Sequence, residues 1–528
     1  MPFIKAKILH SFFCMTHGMS SMPEESGKTV GRYDMKKILT LMLAAGMTLA
    51  ATSGASAVDV KISGTYDFSF SGSSNLNGDN SFMDASDYRH NTGRELNQHH
   101  FDVYQRMRLG MDFVMSEQLS AFYQAQIGIF NWGGPYKGAG KMENDGGALG
   151  TRSTNITTRQ AYLDWMIPQT NVHVRMGQQE VLLPNYVAGS PVLDDPATGV
   201  FLSAPVTDTF SANAFWMRAV SDPLKNAYGE YDYNDADVDL FGLIGDLKYD
   251  YFRFTPWAMV GHGGDNFDRV SNAGPTASGL LPFNGMNRLS WDNGTLVATP
   301  DGTGSTVWFA GFGGDFTLFD PLRLAMDFYY SGTHNGNAST EREGWYLAAL
   351  AEYRLPWFVP TLKAWYASGD DSKVTNGSEQ PLYLSGGFKP GASSYFKGRF
   401  NIANTIDNGS AGGTWGISAQ LNRMSFIDNL SHDLRVSYFR GTNSSNMPNI
   451  INNIYGGSVS PANYLTTKDH VVEVDFDTSY QIYKNFVTVL ELSYAFQDFD
   501  GGVWKNAAGD NSDFSNAWRA ALNFRYKF

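Results

Sequence analysis

Along much of the chain, large apolar and polar residues alternate with a period of two. The clearest run is Trp518, Ala520, Leu522, Phe524, Tyr526 and Phe528 on one face, against Arg519, Asn523, Arg525 and Lys527 on the other. Extended backbone sends successive side chains to opposite faces, so this pattern predicts a strand between an apolar and an aqueous phase. It recurs. Val58, Val60, Ile62, Tyr66, Phe68 and Phe70 oppose Asp59, Lys61, Asp67 and Ser69. Phe101, Val103, Met107, Leu109, Met111 and Phe113 oppose Asp102, Arg106, Arg108 and Asp112. Leu322, Leu324, Met326, Phe328 and Tyr330 face away from Arg323 and Asp327, and Val472, Val474, Phe476 and Tyr480 face away from Glu473, Asp475 and Asp477.

Short connections near 116–117, 168–170, 245–248, 320–321, 356–360, 425–432 and 483–485 alternate with long Gly/Asn/Ser/Asp-rich ones near 71–99, 131–156, 178–236, 262–305, 331–343, 370–412, 442–468 and 498–513. Short turns at one end and long loops at the other are what a membrane barrel requires. The count predicts an all-β, 16-stranded antiparallel transmembrane β-barrel, water-filled at that strand number. A strand at Ala212–Val220 would shift every later turn to the wrong end, so parity assigns that stretch to the third loop, 178–236. Pro256 lacks a ladder donor and predicts a bulge or strand end within 249–261.

The first 57 residues do not share the pattern. Met35-Lys36-Lys37, an apolar run from Ile38 to Ala50, and Ala55-Ser56-Ala57 fit a secretory signal peptide at 35–57, with 1–34 a non-native upstream extension. The apolar run is too short for a membrane span of about 20 residues. The barrel then covers 58–528. Removing 1–57 takes away Cys14, the sole cysteine, and leaves 33 basic and 49 acidic groups, net −16. An exported chain without cysteine needs no disulfide framework. Its acidity argues against nucleic acid as a partner. Aromatics at 14% and 55 glycines agree with a barrel whose apolar surface is every second strand residue.

Alternation places Arg106 and Arg108 on the inner face of one early strand. It places His173 and Arg175 inside another, with Val172, Val174 and Met176 toward lipid. The segments Gln105 to Gly110, Arg159 to Asp164, Val174 to Gln178 and Phe524 to Phe528 resemble those of homotrimeric outer-membrane general porins, such as porins of sulfate-reducing bacteria. The resemblance spans the barrel in order and spacing more than in any one motif. It implies passive diffusion of small hydrophilic solutes and ions, and a homotrimer in outer-membrane lipid. It also implies a terminal Phe528 read by the barrel-assembly machinery after passage with periplasmic chaperones. It further implies a third loop folded inward, and a constriction where early-strand arginines face third-loop acids, here Arg106, Arg108 and Arg175 against Asp194, Asp195 and Asp208. Tyr162 and Asp164 on the inner face of the preceding strand, together with a longer third loop, depart from the family pattern. Arg106, Arg108 and Arg175 can equally be read as wall arginines paired with Asp102, Asp112 and Asp164. A substrate-specific channel is the alternative reading, with a barrel adhesin or enzyme behind it.

Catalytic chemistry is thinly represented. No phosphate loop, Cys-x-x-Cys or His-Glu-x-x-His pattern is present, so no cofactor and no metal are expected. His99-His100 begin a strand and point to opposite faces. Gly311 to Gly314 fall within an alternating strand and read as close packing. Asp79-Asn80, Asp370-Asp371 and Gly509-Asp510-Asn511 lack regular calcium-ligand spacing and read as solvated loop tips.

Overall fold

In a computed structural model, the described residues are 58–74, 99–134, 147–149, 156–221, 224–225, 231–232, 237–265, 267, 278–283, 285–293, 295–300, 303–396, 410–455, 459–461, 463–504 and 514–528. The stretches read from sequence as an upstream extension (1–34) and a secretory signal (35–57), and the loop tips at 79–80 and 509–511, lie outside them. Among the described residues, twenty-two strands are formed: β1 (Asp59–Ser74), β2 (His99–Ser116), β3 (Leu119–Asn131), β4 (Ile156–Met166), β5 (His173–Leu182), β6 (Asp194–Pro205), β7 (Phe210–Val220), β8 (Leu224–Lys225), β9 (Tyr231–Asp232), β10 (Val238–Lys248), β11 (Phe252–Gly263), β12 (Asn287–Asp292), β13 (Thr295–Pro300), β14 (Ser305–Phe319), β15 (Leu322–His334), β16 (Glu343–Tyr353), β17 (Val359–Ala367), β18 (Thr414–Ile427), β19 (Leu430–Gly441), β20 (His470–Tyr483), β21 (Phe486–Asp498) and β22 (Ala517–Lys527).

Two small hairpins, β8–β9 and β12–β13, stand apart; the remaining strands form one 18-stranded sheet. Each pairs antiparallel with its chain neighbours. The sheet closes when β22 pairs with β1, from Thr65 opposite Lys527 to Ser74 opposite Trp518. Just beyond, Gly64 and Phe528 exchange two backbone hydrogen bonds of 2.9 and 3.1 Å. Closure leaves no free edge.

Eighteen strands, not sixteen, is a correction to the sequence reading. Asp194–Pro205 and Phe210–Val220, expected inside a long third loop, are a wall hairpin: β6 pairs with β5, and β7 with β10. One extra strand would have broken the alternation of turn and loop, but two preserve it. Connections of two to six residues still alternate with connections of eight or more. The third long connection shrinks from 178–236 to 183–193. The turn expected at 245–248 moves to 249–251. Pro256 neither bulges nor ends β11. The register to β10 is the same on both sides of it, and the ladder skips the pairs between Trp257 and Phe254.

The outward face is largely apolar, with charge near strand ends at Glu343 of β16 and at the Arg218–Asp239 pair of β7 and β10. On β16 it reads Trp345, Leu347, Ala349, Ala351, Tyr353, aromatic at both ends and small or aliphatic between. On β21 it reads Leu490, Leu492, Tyr494 and Phe496, and on β22 Trp518, Leu522 and Tyr526, all exposed. A soluble protein rarely leaves more than a few hundred Å² of contiguous apolar surface bare, whereas a barrel in lipid must present such a belt with aromatic borders. The opposite face is buried and polar: Asp67, Arg106, Asp327, Glu473, Asp475, Asp477, Glu491, Arg519 and Asn523 are each 5% exposed or less.

Much of that inner face is covered by loops. Trp365, Tyr346 and Phe439 alternate with exposed neighbours and so point inward. Phe388 and Phe396, from the β17–β18 connection, pack on them at 5.3–6.1 Å between ring centroids. Leu183, Val187 and Val192 of the β5–β6 connection join the same apolar cluster.

Candidate functional site

The inner wall is laced by ion pairs between neighbouring strands. The reason is geometric: residues opposite one another in register share a face, so an arginine meets the carboxylate beside it. Asp67 of β1 takes Arg106 of β2 at 3.0 Å and Arg525 of β22 at 2.5 Å, drawing the seam together from both sides. Arg175 of β5 and Asp164 of β4 pair at 2.5 Å, with His173 on the other oxygen at 2.8 Å. Arg253 pairs with Asp246, Arg323 with Asp315, Arg435 with Asp477 and Arg519 with Glu491. Arg108 differs. Its Nε donates to Gln126 Oε1 at 3.0 Å, and no carboxylate partner is found among the described residues.

Two loop segments bridge this wall. Asp327 of β15 points inward, and its carboxylate accepts the backbone N–H of Tyr186 (2.9 and 3.0 Å) and of Val187 (2.8 Å). Tyr186 bonds through its hydroxyl to Thr255 Oγ1 on β11 at 2.6 Å, its carbonyl accepts from Arg323 at 3.2 Å, and Arg253 lies 5.8 Å over its ring. Segment 183–193 then pairs with the β17–β18 connection. Leu384 donates to Val192 O at 2.9 Å, Gly387 to Ser190 O at 2.7 Å, and Lys389 to Ala188 O at 2.5 Å. The second segment ends on other strands: Gln420 of β18 donates to Pro390 O, and Arg435 of β19 to Gly391 O. On β20, Asp475 accepts from Ser393 N and Oγ, and Glu473 accepts from the N–H groups of Ser394 and Tyr395. A continuous hydrogen-bonded path thus runs from β11 and β15, through both segments, to β18, β19 and β20.

A further pin holds the loop end. Buried Arg342 donates to the carbonyls of Gln380, Pro381, Ser278 and Leu281 at 2.9–3.2 Å. Burial pulls its pKa below the usual arginine value. Glu379 nearby accepts from Asp371 N–H and Asn376 Nδ2. Burial, aided by the charges of Asp370 and Asp371, raises its pKa to about 7. Among the described residues, no group of three or more His, Cys, Asp or Glu side chains is placed to hold a metal ion.

The residues singled out from sequence fall in four places. Arg106 and Arg108 lie on β2 and Arg175 on β5, all facing the interior. Arg106 pairs with Asp67 and not with Asp102 or Asp112, while Arg175 has the Asp164 partner weighed for it. Asp194 and Asp195 begin β6 where the two segments meet, with Lys389 Nζ 4.0 Å from Asp194 and Ser385 Oγ 2.7 Å from Asp195. Asp208 is in the turn 206–209 after β6, not on a loop over the pore. The 12 residues of β6 separate it from Asp194, roughly 40 Å at 3.3 Å per residue. Phe528 sits at the seam. Sequence reasoning placed Asp327, Glu473 and Asp475 on the inner face but missed their role as loop anchors. Alternation reports which face a residue takes, and carries no signal for a partner 78 to 141 positions away.

No family model matches the chain, and no curated protein sequence matches it. Solved structures similar to it include OccAB2 of Acinetobacter baumannii, at 14% identity over 90% of this chain and 100% of that one, TM-score 0.48. A BenF-like porin from Pseudomonas fluorescens Pf-5 is similar at 10% identity over 89% and 98%, TM-score 0.48. OpdK of Pseudomonas aeruginosa, solved with vanillate, is similar at 10% over 89% and 98%, TM-score 0.47. The resemblance to homotrimeric general porins is not confirmed by these comparisons. At such identities the ground for function is the chain's own geometry: an antiparallel barrel, closed strand to strand, largely apolar outside, ion-paired inside, with two loop segments bonded to each other and to the wall.

Proposed function

We propose that the protein is an outer-membrane channel for passive entry of small hydrophilic solutes, and that it is selective, not a general diffusion pore. The observation that carries this reading is the bridge made by segments 183–193 and 384–396. Loops bonded to each other and to separate parts of the wall narrow the passage, and they hold fixed polar groups where a solute must pass. In this reading Arg106, Arg108 and Arg175 on the wall and Asp194 and Asp195 at the loop junction set the charge along the path. Arg108, with no carboxylate partner among the described residues, contributes most to ion preference. Asp208 takes no part. The exposed apolar belt is the lipid contact, and a homotrimer, delivered by periplasmic chaperones and the assembly machinery, is the assembled state.

The test is conductance of the purified protein in a planar bilayer under a salt gradient. Small, ohmic openings are expected, with a reversal potential that moves toward cations in Arg108→Gln. Absence of conductance from a folded barrel would refute the channel, and large conductance with no solute preference would return the general-porin reading. Three-step closures or a trimer mass in detergent would support the homotrimer.

A further inference from the structure

On the inner wall, β5, β6, β7 and β10 form a trough of about 320 Å³. Its floor is apolar: Phe201 and Phe215 stack with centroids 5.3 Å apart and planes 19° apart, beside Ile244. Ser203, Asn213 and Gln179 supply neutral polar groups along it. Gln179 is 4% exposed, and its Nε2 has no hydrogen-bond partner among the described residues. A buried amide donor left unpaired costs free energy, and here it lines a cavity large enough for a small ligand.

The charges at the trough are already compensated. Arg175 and His173 share Asp164, and Glu180 is held by Arg159 at 2.7 Å. An anion drawn to Arg175 meets Asp164 beside it, and a cation drawn to Glu180 meets Arg159. A hydroxyl, which donates and accepts, is satisfied by both members of each pair. A ring with an apolar C–H face suits the phenyl floor, and its oxygens suit the free amide.

We propose that this trough is a docking subsite for neutral pyranose-type carbohydrates on their way through the channel. The proposal rests on the channel reading above and names the solute class for it. Arg175 is then a hydrogen-bonding group of the subsite, and Gln179 and Phe201 are its specificity determinants.

The experiment adds maltose, or sodium benzoate as an anionic ring of similar width, to the full-length protein. Ion current in a planar bilayer and heat of binding in detergent are both measured. Saturable current reduction and binding heat with maltose, with half-blocking concentration raised ~10-fold in Gln179→Leu, about 1.4 kcal/mol, would support the subsite. Phe201→Leu keeps an apolar side chain without the ring face. It should also weaken block, and it serves if Gln179→Leu does not fold. Conductance without any maltose block or heat overturns the subsite and spares the channel. Block by benzoate but not maltose overturns the carbohydrate assignment. Maltose heat without conductance sinks the channel and keeps the subsite.

Discussion

At the scale of the residue, the recurring device is a buried carboxylate that receives several N–H and O–H donors from a loop. Asp327 holds Tyr186 and Val187, and Glu473 holds Ser394 and Tyr395. Asp370 accepts from Ser378 Oγ, Glu379 N–H, Gln380 Nε2 and Tyr464 OH. Asp469 accepts from Thr466, the Asp500 N–H and Trp504 Nε1. Hydrogen bonds to a charged acceptor are worth about 1.5–3 kcal/mol each, so a few such residues fix long loops that have little regular structure. Glu379 shows the cost of this crowding. Its pKa, raised from 4.5 to about 7, means the folded loop favours the protonated form. Its seat is therefore most stable below about pH 4.5 and loses stability as pH rises through about 7. In Glu379→Gln that loss is expected to vanish. Hydrogen exchange of amides 371–380, corrected for intrinsic rate, should quicken from pH 5 to pH 8 in the wild type only; equal quickening in the variant would refute the assignment.

At the scale of the element, the strands were legible because lipid and water impose the alternation directly on the sequence. The inner and outer faces of β1, β2, β15, β20 and β22 follow it residue for residue. The hairpin β6–β7 was not legible. β6 opens Asp194-Asp195-Pro196 and continues through Thr198-Gly199, so the apolar period begins only at Val200. Counting turns cannot detect a missing pair of strands, because a pair restores parity. The bridge was also invisible, since it depends on contacts between remote segments. Its weakest point is steric. Gly313 of β14 lies under Tyr186, and a Cβ there would sit 2.6 Å from Tyr186 Cδ2 and 3.1 Å from Asp327 Oδ1. Gly313→Val is expected to lift Tyr186 from its anchor and expose 183–193 to protease, with larger and noisier single-channel current. Asp327→Ala should reproduce this by removing the acceptor and not by a clash. Wild-type current in both would show that the segment is not held at this point.

At the scale of the whole molecule, the barrel is secured where its two ends meet. Arg525 and Asp67, 458 positions apart, pair beside Arg106, and the Phe528 backbone completes the ladder on Gly64. The Phe528 ring lies 5.9 Å from that of Tyr526 and close over Gly64. Deleting Phe528 should lower the fraction of chain that reaches a protease-resistant barrel in lipid vesicles, while any barrel that forms conducts normally. Undiminished yield would show that closure does not need this residue.

The double exchange between Gly64 and Phe528 has the form of the last pair in an antiparallel hairpin. Chemically, the eighteen strands are a ring with one covalent link left out. Which turn goes unjoined is incidental to the wall. A circularly permuted chain, linked across the present seam and opened at Asp428-Asn429, keeps every strand pairing and moves the gap between β18 and β19. Such a chain separates two demands that natural connectivity merges: an aromatic residue at the very end, and a first strand waiting to receive the last.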